Sequence, residues 1–304
     1  MSILNRKNIL LGISGGIAAY KSAFLVRLLI KNKANVQVIM TPSSKDFVTP
    51  LTLSTLSKRP VLSEFFNKDN QNKLWNNHVD LALWADYIII APATANTLSK
   101  MASARADNLL IATYLSAKCP VFFAPAMDLD MHKNKANKLN IKKLIDFGNI
   151  HIPVNSGFLA SGLEGEGRMQ EPNQIIEFVS SNILKDKKLY GKKILITAGP
   201  TYEKIDPVRF IGNFSTGKMG FALANTAANL GAEVFLVTGP TSLTINSDRI
   251  KSFHVTSADE MFKTTKELFK DIDIAILSAA VSDYKPKNIS QHKIKKENNN
   301  NLSI

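Results

Sequence analysis

The 304-residue sequence predicts an α/β protein with two consecutive parallel-sheet domains. Three observations carry that prediction. The apolar runs are short, rich in Ile and Val, and separated by segments of helical period, which is the pattern of parallel strands buried on both faces. The length is about twice that of a typical domain. The opening pattern also occurs twice. Lys193-Ile194-Leu195-Ile196-Thr197 echoes Asn8-Ile9-Leu10-Leu11-Gly12, and Gly231 to Ser242 echoes Lys33 to Ser44. Two Rossmann-like openings therefore follow one another.

In chain order, strands are expected at Asn8–Ile13, Asn35–Met40, Tyr87–Ala91, Val121–Ala124 and His151–Val154. Ile17–Lys31 reads as a helix, because Ala19, Ala23, Val26, Leu29 and Ile30 recur at helical spacing. The charged stretch Leu184-Lys185-Asp186-Lys187-Lys188 has no core-facing pattern and reads as a linker, dividing the chain into domains 1–188 and 189–304. In the second domain Ile194 and Val234 are 40 residues apart, against 27 for Ile9 and Val36. The excess lies between the first strand and its helix, in TYEKIDPVRFIGNFSTGK, where a doubly wound sheet places its ligand. Further strands are expected at Ile250–Val255 and Ile272–Ser278. Beyond Asp283-Tyr284 the chain runs through KPKNISQHKIKK into a polar tail, Asn298 to Asn301. A domain of about 115 residues with four strands has a small core, so this half is expected to be truncated.

Composition narrows the function classes. With 45% hydrophobic and 21% charged residues, the chain is neither disordered nor collagen-like. No run approaches the roughly 20 apolar residues of a membrane span, and the apolar run after Lys7 meets Ser14-Gly15-Gly16 too soon to be a signal peptide. A single cysteine, Cys119, excludes an internal disulfide and a thiolate zinc cluster, and a cytoplasmic location is expected. Just before Pro120, it reads as a buried structural cysteine. The net charge of +13 suits anionic partners, but Lys is scattered among many Asn, which compositional drift also produces. Aromatic residues do not interleave with basic clusters, so no nucleic-acid partner is expected.

Several segments carry chemistry. Gly12 to Lys21 (GISGGIAAYK) places glycines between a strand and a helix, where backbone amides can approach a phosphate, and Ser14 adds a hydroxyl. Such a turn can equally do no more than close a tight βα connection. NHVDLALWAD puts His78 at the start of a short helix. PATANTLSKMASARADNLL (Pro92 to Leu110) and PAMDLDM (Pro125 to Met131) follow buried strands as polar loops, and Ser156 to Pro172 is a Gly-rich flap. Loops at the carboxyl ends of parallel strands converge on one crevice, so these four are expected to meet.

In this order the four segments resemble the flavin-dependent cysteine decarboxylases. ITAGPTYEKIDPVRFIGNFSTGKMG, AAVSDY and KIKK resemble the phosphopantothenate–cysteine ligases. Together they resemble, over nearly the whole chain, the bifunctional coenzyme A biosynthesis family. The resemblance implies a flavodoxin-like first domain holding FMN, with its phosphate near Ser14, Gly15 and Gly16. Thr41, Ser43, Ala93, Thr94, Ala95 and Asn96 would lie near the cofactor, and Ala126 near the isoalloxazine. It implies decarboxylation of phosphopantothenoylcysteine with His78 as base, in a homo-oligomer built from trimers in which His78 acts across the interface. Two positions depart from the family pattern. Asp128 replaces the Asn that grips the substrate carboxylate, and Ser161 replaces the cysteine that reprotonates the ene-thiolate.

For the second domain the resemblance implies CTP with Mg2+, phosphopantothenate and cysteine as ligands. Asn213 and Arg209 would serve the acyl-cytidylate step. Leu277, Ser278 and Ala279 would meet the nucleotide, Asp283 the nucleotide or its metal, and Lys293 the triphosphate. The bland alternatives are small residues where a helix meets the sheet, and a solvated basic face at KIKK. Competing readings of the whole chain are a non-catalytic FMN-binding regulatory protein, a decarboxylase of peptide C-terminal cysteine, and a flavin prenyltransferase.

Overall fold

Residues 2–66, 75–245 and 247–295 are described by the computed structural model. The chain divides into two compact units, Ser2–Ser181 and Asn182–Ile304.

In the first unit, Ile9, Leu10, Leu11 and Ile13 are completely buried because β1 (Asn8–Ile13) has a strand on each side and helices on both faces. Each such side chain contributes roughly 1.5–3 kcal/mol by leaving water. There follow α1 (Lys21–Lys31), β2 (Asn35–Met40), α2 (Pro50–Ser57), α3 (His78–Trp84) and β3 (Tyr87–Ala93). Then come α4 (Ala95–Ala102), α5 (Leu109–Leu115), β4 (Val121–Pro125), α6 (Leu129–Lys133), α7 (Lys135–Asp146) and β5 (Ile150–His151). The five strands are parallel in the order β2-β1-β3-β4-β5. This is the flavodoxin-like order, and its direction reverses between β1 and β3. The crossovers there leave to opposite sides, opening a crevice at the carboxyl ends of the strands.

Five expectations need adjustment. The first helix opens as one 3-10 turn, Ile17–Tyr20, before α1, because Gly16 has no side chain to cap it. The fifth strand stops at His151. Ile152 still donates to the Phe123 carbonyl at 2.9 Å, but Pro153 has no N–H to continue the ladder. The loop expected at Pro92 is mostly regular, since β3 runs to Ala93 and α4 begins at Ala95. The flap is an antiparallel hairpin, β6 (Asn155–Phe158) and β7 (Glu164–Arg168). Gly167, at φ +134°, lies too close to the Met127 carbonyl for any side chain, and its own carbonyl accepts the Met127 N–H at 3.0 Å. That pairing fastens the hairpin to the loop after β4. The expected linker is helical at its start, because α8 (Pro172–Lys185) takes in Leu184 and Lys185.

The second unit holds β8 (Lys193–Ala198), β9 (Tyr202–Lys204), β10 (Phe210–Gly212), α9 (Lys218–Asn229), β11 (Glu233–Thr238), β12 (Ile250–His254), α10 (Ala258–Leu268) and β13 (Ile274–Leu277). Its parallel sheet runs β12-β11-β8-β13. Phe221, Ala224, Ala227 and Ala228 of α9 pack on Ile194, Ile196, Val234 and Leu236. The sequence repeat is exact in register: Ile9 pairs with Val36 and Ile194 with Val234. The extra residues after β8 form the β9–β10 ribbon. The last strand begins at Ile274, two residues later than expected, because Phe269–Asp271 forms a 3-10 turn.

Candidate active site

The crevice at the ends of β1 to β4 is built from short polar loops. After β1, Ser14 is 1% exposed; its Oγ donates to the Pro92 carbonyl at 2.7 Å and accepts the Thr94 N–H at 2.9 Å. This corrects the expectation that Ser14 offers a proton to phosphate. The proton is already engaged, and the side chain braces the loop after β3. At Gly15 a Cβ would sit 2.9 Å from the Ser43 carbonyl carbon, so only glycine lets the loops after β1 and β2 touch. In the second loop the Thr41 and Ser43 hydroxyls are 3.4 Å apart. In the third, Thr94 turns its hydroxyl to Thr97 at 3.3 Å, and no side chain among the described residues caps the first N–H groups of α4. Uncapped amides at the positive end of a helix make an anion site.

Gly15, Thr41, Ser43, Thr94, Asn96 and Ala126 line one cavity of about 500 Å3. Ala93 is fully buried behind it, its carbonyl accepting the Ala126 N–H at 3.1 Å. A second cavity, of about 510 Å3, lies against Gly16, Lys21, Asp128, Ser161 and Gly167. Ala126 and Met127 border both cavities, so the loop after β4 is their common wall. Asp128 is half-buried and precedes α6; its Oδ1 accepts the Leu129 N–H at 2.6 Å, and no cation among the described residues lies within ion-pair distance. Ser161 is exposed at the tip of the hairpin.

Sequence reasoning missed Lys21, which is 4% exposed. Its Nζ donates to the Met169 carbonyl and to Glu171 Oε1, both at 2.9 Å, and Arg168 meets the same Glu171 oxygen at 2.9 Å. The Lys21 hydrogen bond, foremost, holds the Glu171 carboxyl below the usual range. The signal was available: a lysine in the first turn of an otherwise apolar, core-facing helix needs a buried partner.

His78 stands apart. It opens α3 beside the capping Asn77, edge-on to Phe65 and Trp75 with ring centres 6.2 and 6.0 Å away. Its Nδ1 is buried and meets no hydrogen-bond partner among the described residues. It lines neither cavity, so three of the four expected segments converge and the fourth does not. Cys119 is half-buried, and burial pushes its thiol up, as befits an inert packing residue.

In the second unit the centre is Asp206, whose side chain is fully buried. Its Oδ1 accepts the N–H groups of Val208 and Arg209, both at 2.8 Å; its Oδ2 accepts Arg209 Nη2, Arg209 Nε and the Ile294 N–H at 2.6, 3.0 and 3.2 Å. The Arg209 guanidinium, ahead of the backbone donors, holds this carboxyl far below the usual range although burial opposes it. Arg209 also donates to the Ile294 carbonyl at 3.1 Å, which brings the exposed Lys293 beside the DPVR turn. Asp followed by Pro is a turn signal that could have singled out Asp206. Asn213 Nδ2 donates to the Val281 carbonyl at 2.8 Å. Ser278 Oγ donates to the Thr197 carbonyl at 2.7 Å, and the Ala279 N–H to Thr197 Oγ1 at 3.2 Å. Leu277 and Asp283 are exposed, and no cluster of three His, Cys, Asp or Glu occurs among the described residues. Lys296 and Asn298 to Asn301 lie outside those residues.

Comparison with known proteins adds the family. A Flavoprotein model matches residues 2–184, and a DNA/pantothenate metabolism flavoprotein C-terminal domain model matches residues 189–304. The coenzyme A biosynthesis bifunctional protein CoaBC of Bacillus subtilis is 44% identical over 297 residues, covering 97% of this chain and 73% of that protein. A cysteine/cysteine sulfinic acid decarboxylase from an unknown prokaryotic organism is 53% identical over 253 residues, covering 82% of this chain and 70% of that protein. Among solved structures, a PPC decarboxylase mutant complexed with pantothenoylaminoethenethiol aligns with a TM-score of 0.52 at 32% identity, covering 59% of this chain and 99% of that one. The FMN binding protein AtHal3 aligns with a TM-score of 0.50 at 32% identity, covering 59% and 97%.

Proposed function

The chain belongs to the bifunctional coenzyme A biosynthesis family and serves that pathway as a decarboxylase, and we propose that its first unit works with FMN on phosphopantothenoylcysteine. The observation that carries this reading is the pair of cavities divided by Ala126 and Met127. The cavity with Gly15, Thr41, Ser43 and the free amide end of α4 suits a phosphate monoester, and the one under the hairpin suits the reacting end of a substrate. Gly15, Thr41, Ser43, Thr94 and Asn96 would hold the FMN phosphate side, Gly16 would border the other cavity, and Ala126 would meet the ring. When bound, the flavin reversibly accepts the electron pair of thiol oxidation, giving the departing carboxylate an electron sink.

The protein's own groups orient the substrate and move protons. Gly167 holds the hairpin against the second cavity by its bond to Met127. His78 is the proposed base. Because it lines neither cavity of its own chain, it would serve the site of a neighbouring copy in a trimer-based homo-oligomer. Ser161, which lines this cavity, would take the place of the group that reprotonates the product; a hydroxyl is a weak acid, so that step would be slow or use water. The test is direct. Purified protein should release FMN on acid treatment, and CO2 from phosphopantothenoylcysteine. Recovery of FAD, or no turnover after FMN loading, would overturn the reading.

Asp128 favours a second reading. A carboxylate with no cation beside it repels a carboxylate and attracts an ammonium group, which free cysteine or cysteine sulfinate carries and the acylated substrate lacks. Comparing CO2 release from the three compounds decides between them.

For the second unit we propose CTP-dependent ligation of cysteine to phosphopantothenate, with Asn213 and Arg209 at the acyl-cytidylate step and Lys293 on the triphosphate. Leu277, Ser278 and Ala279 would border the nucleotide, Mg2+ would arrive with the triphosphate, and Asp283 would meet the nucleotide or that metal. Release of CMP that depends on phosphopantothenate, cysteine and Asn213 supports this; its absence removes it.

A further inference from the structure

The first unit holds a third cavity, of about 860 Å3, between α1, α2 and the start of α8, and it shares Tyr20 and Lys21 with the cavity under the hairpin. The first turn of α1 therefore borders both cavities, and the larger one continues along that helix. Phe24 (58% exposed) and Leu28 form an apolar wall on α1, and Leu56 faces them from α2. At the far end stand Arg27 and Lys31, both exposed, with no carboxylate of the described residues within ion-pair distance. At about 1.5 Å rise per residue, they lie roughly 9 and 15 Å beyond Lys21. At the near end Glu171 is ion-paired with both Lys21 and Arg168, so those two cations are already engaged. The cavity thus has a paired charge cluster at one end, an apolar wall along its length and, at the other, two cations unpaired among the described residues.

Resting on the reading of this unit as a phosphopantothenoylcysteine decarboxylase, we propose that the acyl arm of the substrate lies along α1 and that Arg27 and Lys31 hold its phosphate. The apolar wall takes the methyl-bearing part of the arm, and the thiol end remains under the hairpin. The macrodipole of α1 is negative at that end, so the helix does not assist and binding depends on the two side chains.

Two measurements test this. In steady-state decarboxylation the double variant Arg27→Ala/Lys31→Ala should raise KM for the phosphorylated substrate about tenfold or more with kcat unchanged, while pantothenoylcysteine kinetics stay the same. By titration calorimetry, wild-type protein should prefer phosphopantetheine, the decarboxylation product and not a substrate of the second unit, to pantetheine, the double variant should show no preference, and Arg27→Lys/Lys31→Arg should retain it. A preference that survives in the alanine variant, or is missing from the wild type, overturns the subsite. If calorimetry gives the expected pattern and no substrate yields CO2, the subsite stands and the decarboxylase reading fails.

Discussion

Replacing Ser14 with alanine separates a structural brace from a ligand donor. The hydroxyl is 1% exposed and joins the Pro92 carbonyl to the Thr94 N–H. Without it the Pro92 carbonyl keeps the Ser14 N–H at 3.3 Å, whereas the Thr94 N–H loses its acceptor. A buried polar group left unpaired costs about 1–3 kcal/mol, and a lost hydrogen bond about 1. Since Thr94 is only half-buried and partly rehydrates, the expected loss is about 2 kcal/mol. For a unit of this length that lowers the melting midpoint by roughly 4–8 °C. The assay is thermal unfolding of flavin-free Ser14→Ala by circular dichroism, paired with FMN affinity from fluorescence quenching below the transition. FMN affinity should fall by no more than about threefold, because α4 still presents its amides. An unchanged midpoint with a loss of affinity of about tenfold would refute the reasoning and put the Ser14 proton on the ligand.

Other substitutions probe the remaining groups. Gly15→Ala pushes a methyl into the Ser43 backbone and should abolish FMN retention on gel filtration while leaving secondary structure intact. His78→Asn should keep FMN and stop CO2 release; undiminished release would make the imidazole a packing residue. Ser161→Cys brings a thiol of pKa about 8.5 to the hairpin tip and should speed product reprotonation in single-turnover measurements, equal rates assigning that proton to water. Asp206 has a lowered folded pKa, so its stabilisation is complete above the unfolded value of about 3.9 and declines progressively as pH falls from there toward the far lower folded value. Hydrogen exchange at the Val208, Arg209 and Ile294 amides should therefore lose protection below about pH 4 in the wild type, and Asp206→Asn should lack that acid step.

The α/β class and the positions of most strands along the chain were legible in the sequence. Parallel strands buried on both faces need continuous apolar runs, and helices need period 3.6; both are local patterns. The repeat even foretold register, since Ile9 meets Val36 and Ile194 meets Val234. Gly15 was legible for the same reason: a turn too tight for a side chain leaves its mark in the residue itself. Where β5 stops could have been read from Pro153.

Only the tertiary structure decided how the site is wired, because its hydrogen bonds join residues far apart along the chain. Ser14 reaches Pro92 and Thr94, Lys21 reaches Glu171, and Asp206 reaches Ile294. No local periodicity encodes such partners; they follow from which strands are neighbours and where each loop leaves the sheet. That is why Ser14, expected to face a phosphate, braces the loop after β3, and why Lys21 and Asp206 passed unnoticed. It is also why His78, in a segment expected to join the crevice, sits outside both cavities against Phe65 and Trp75.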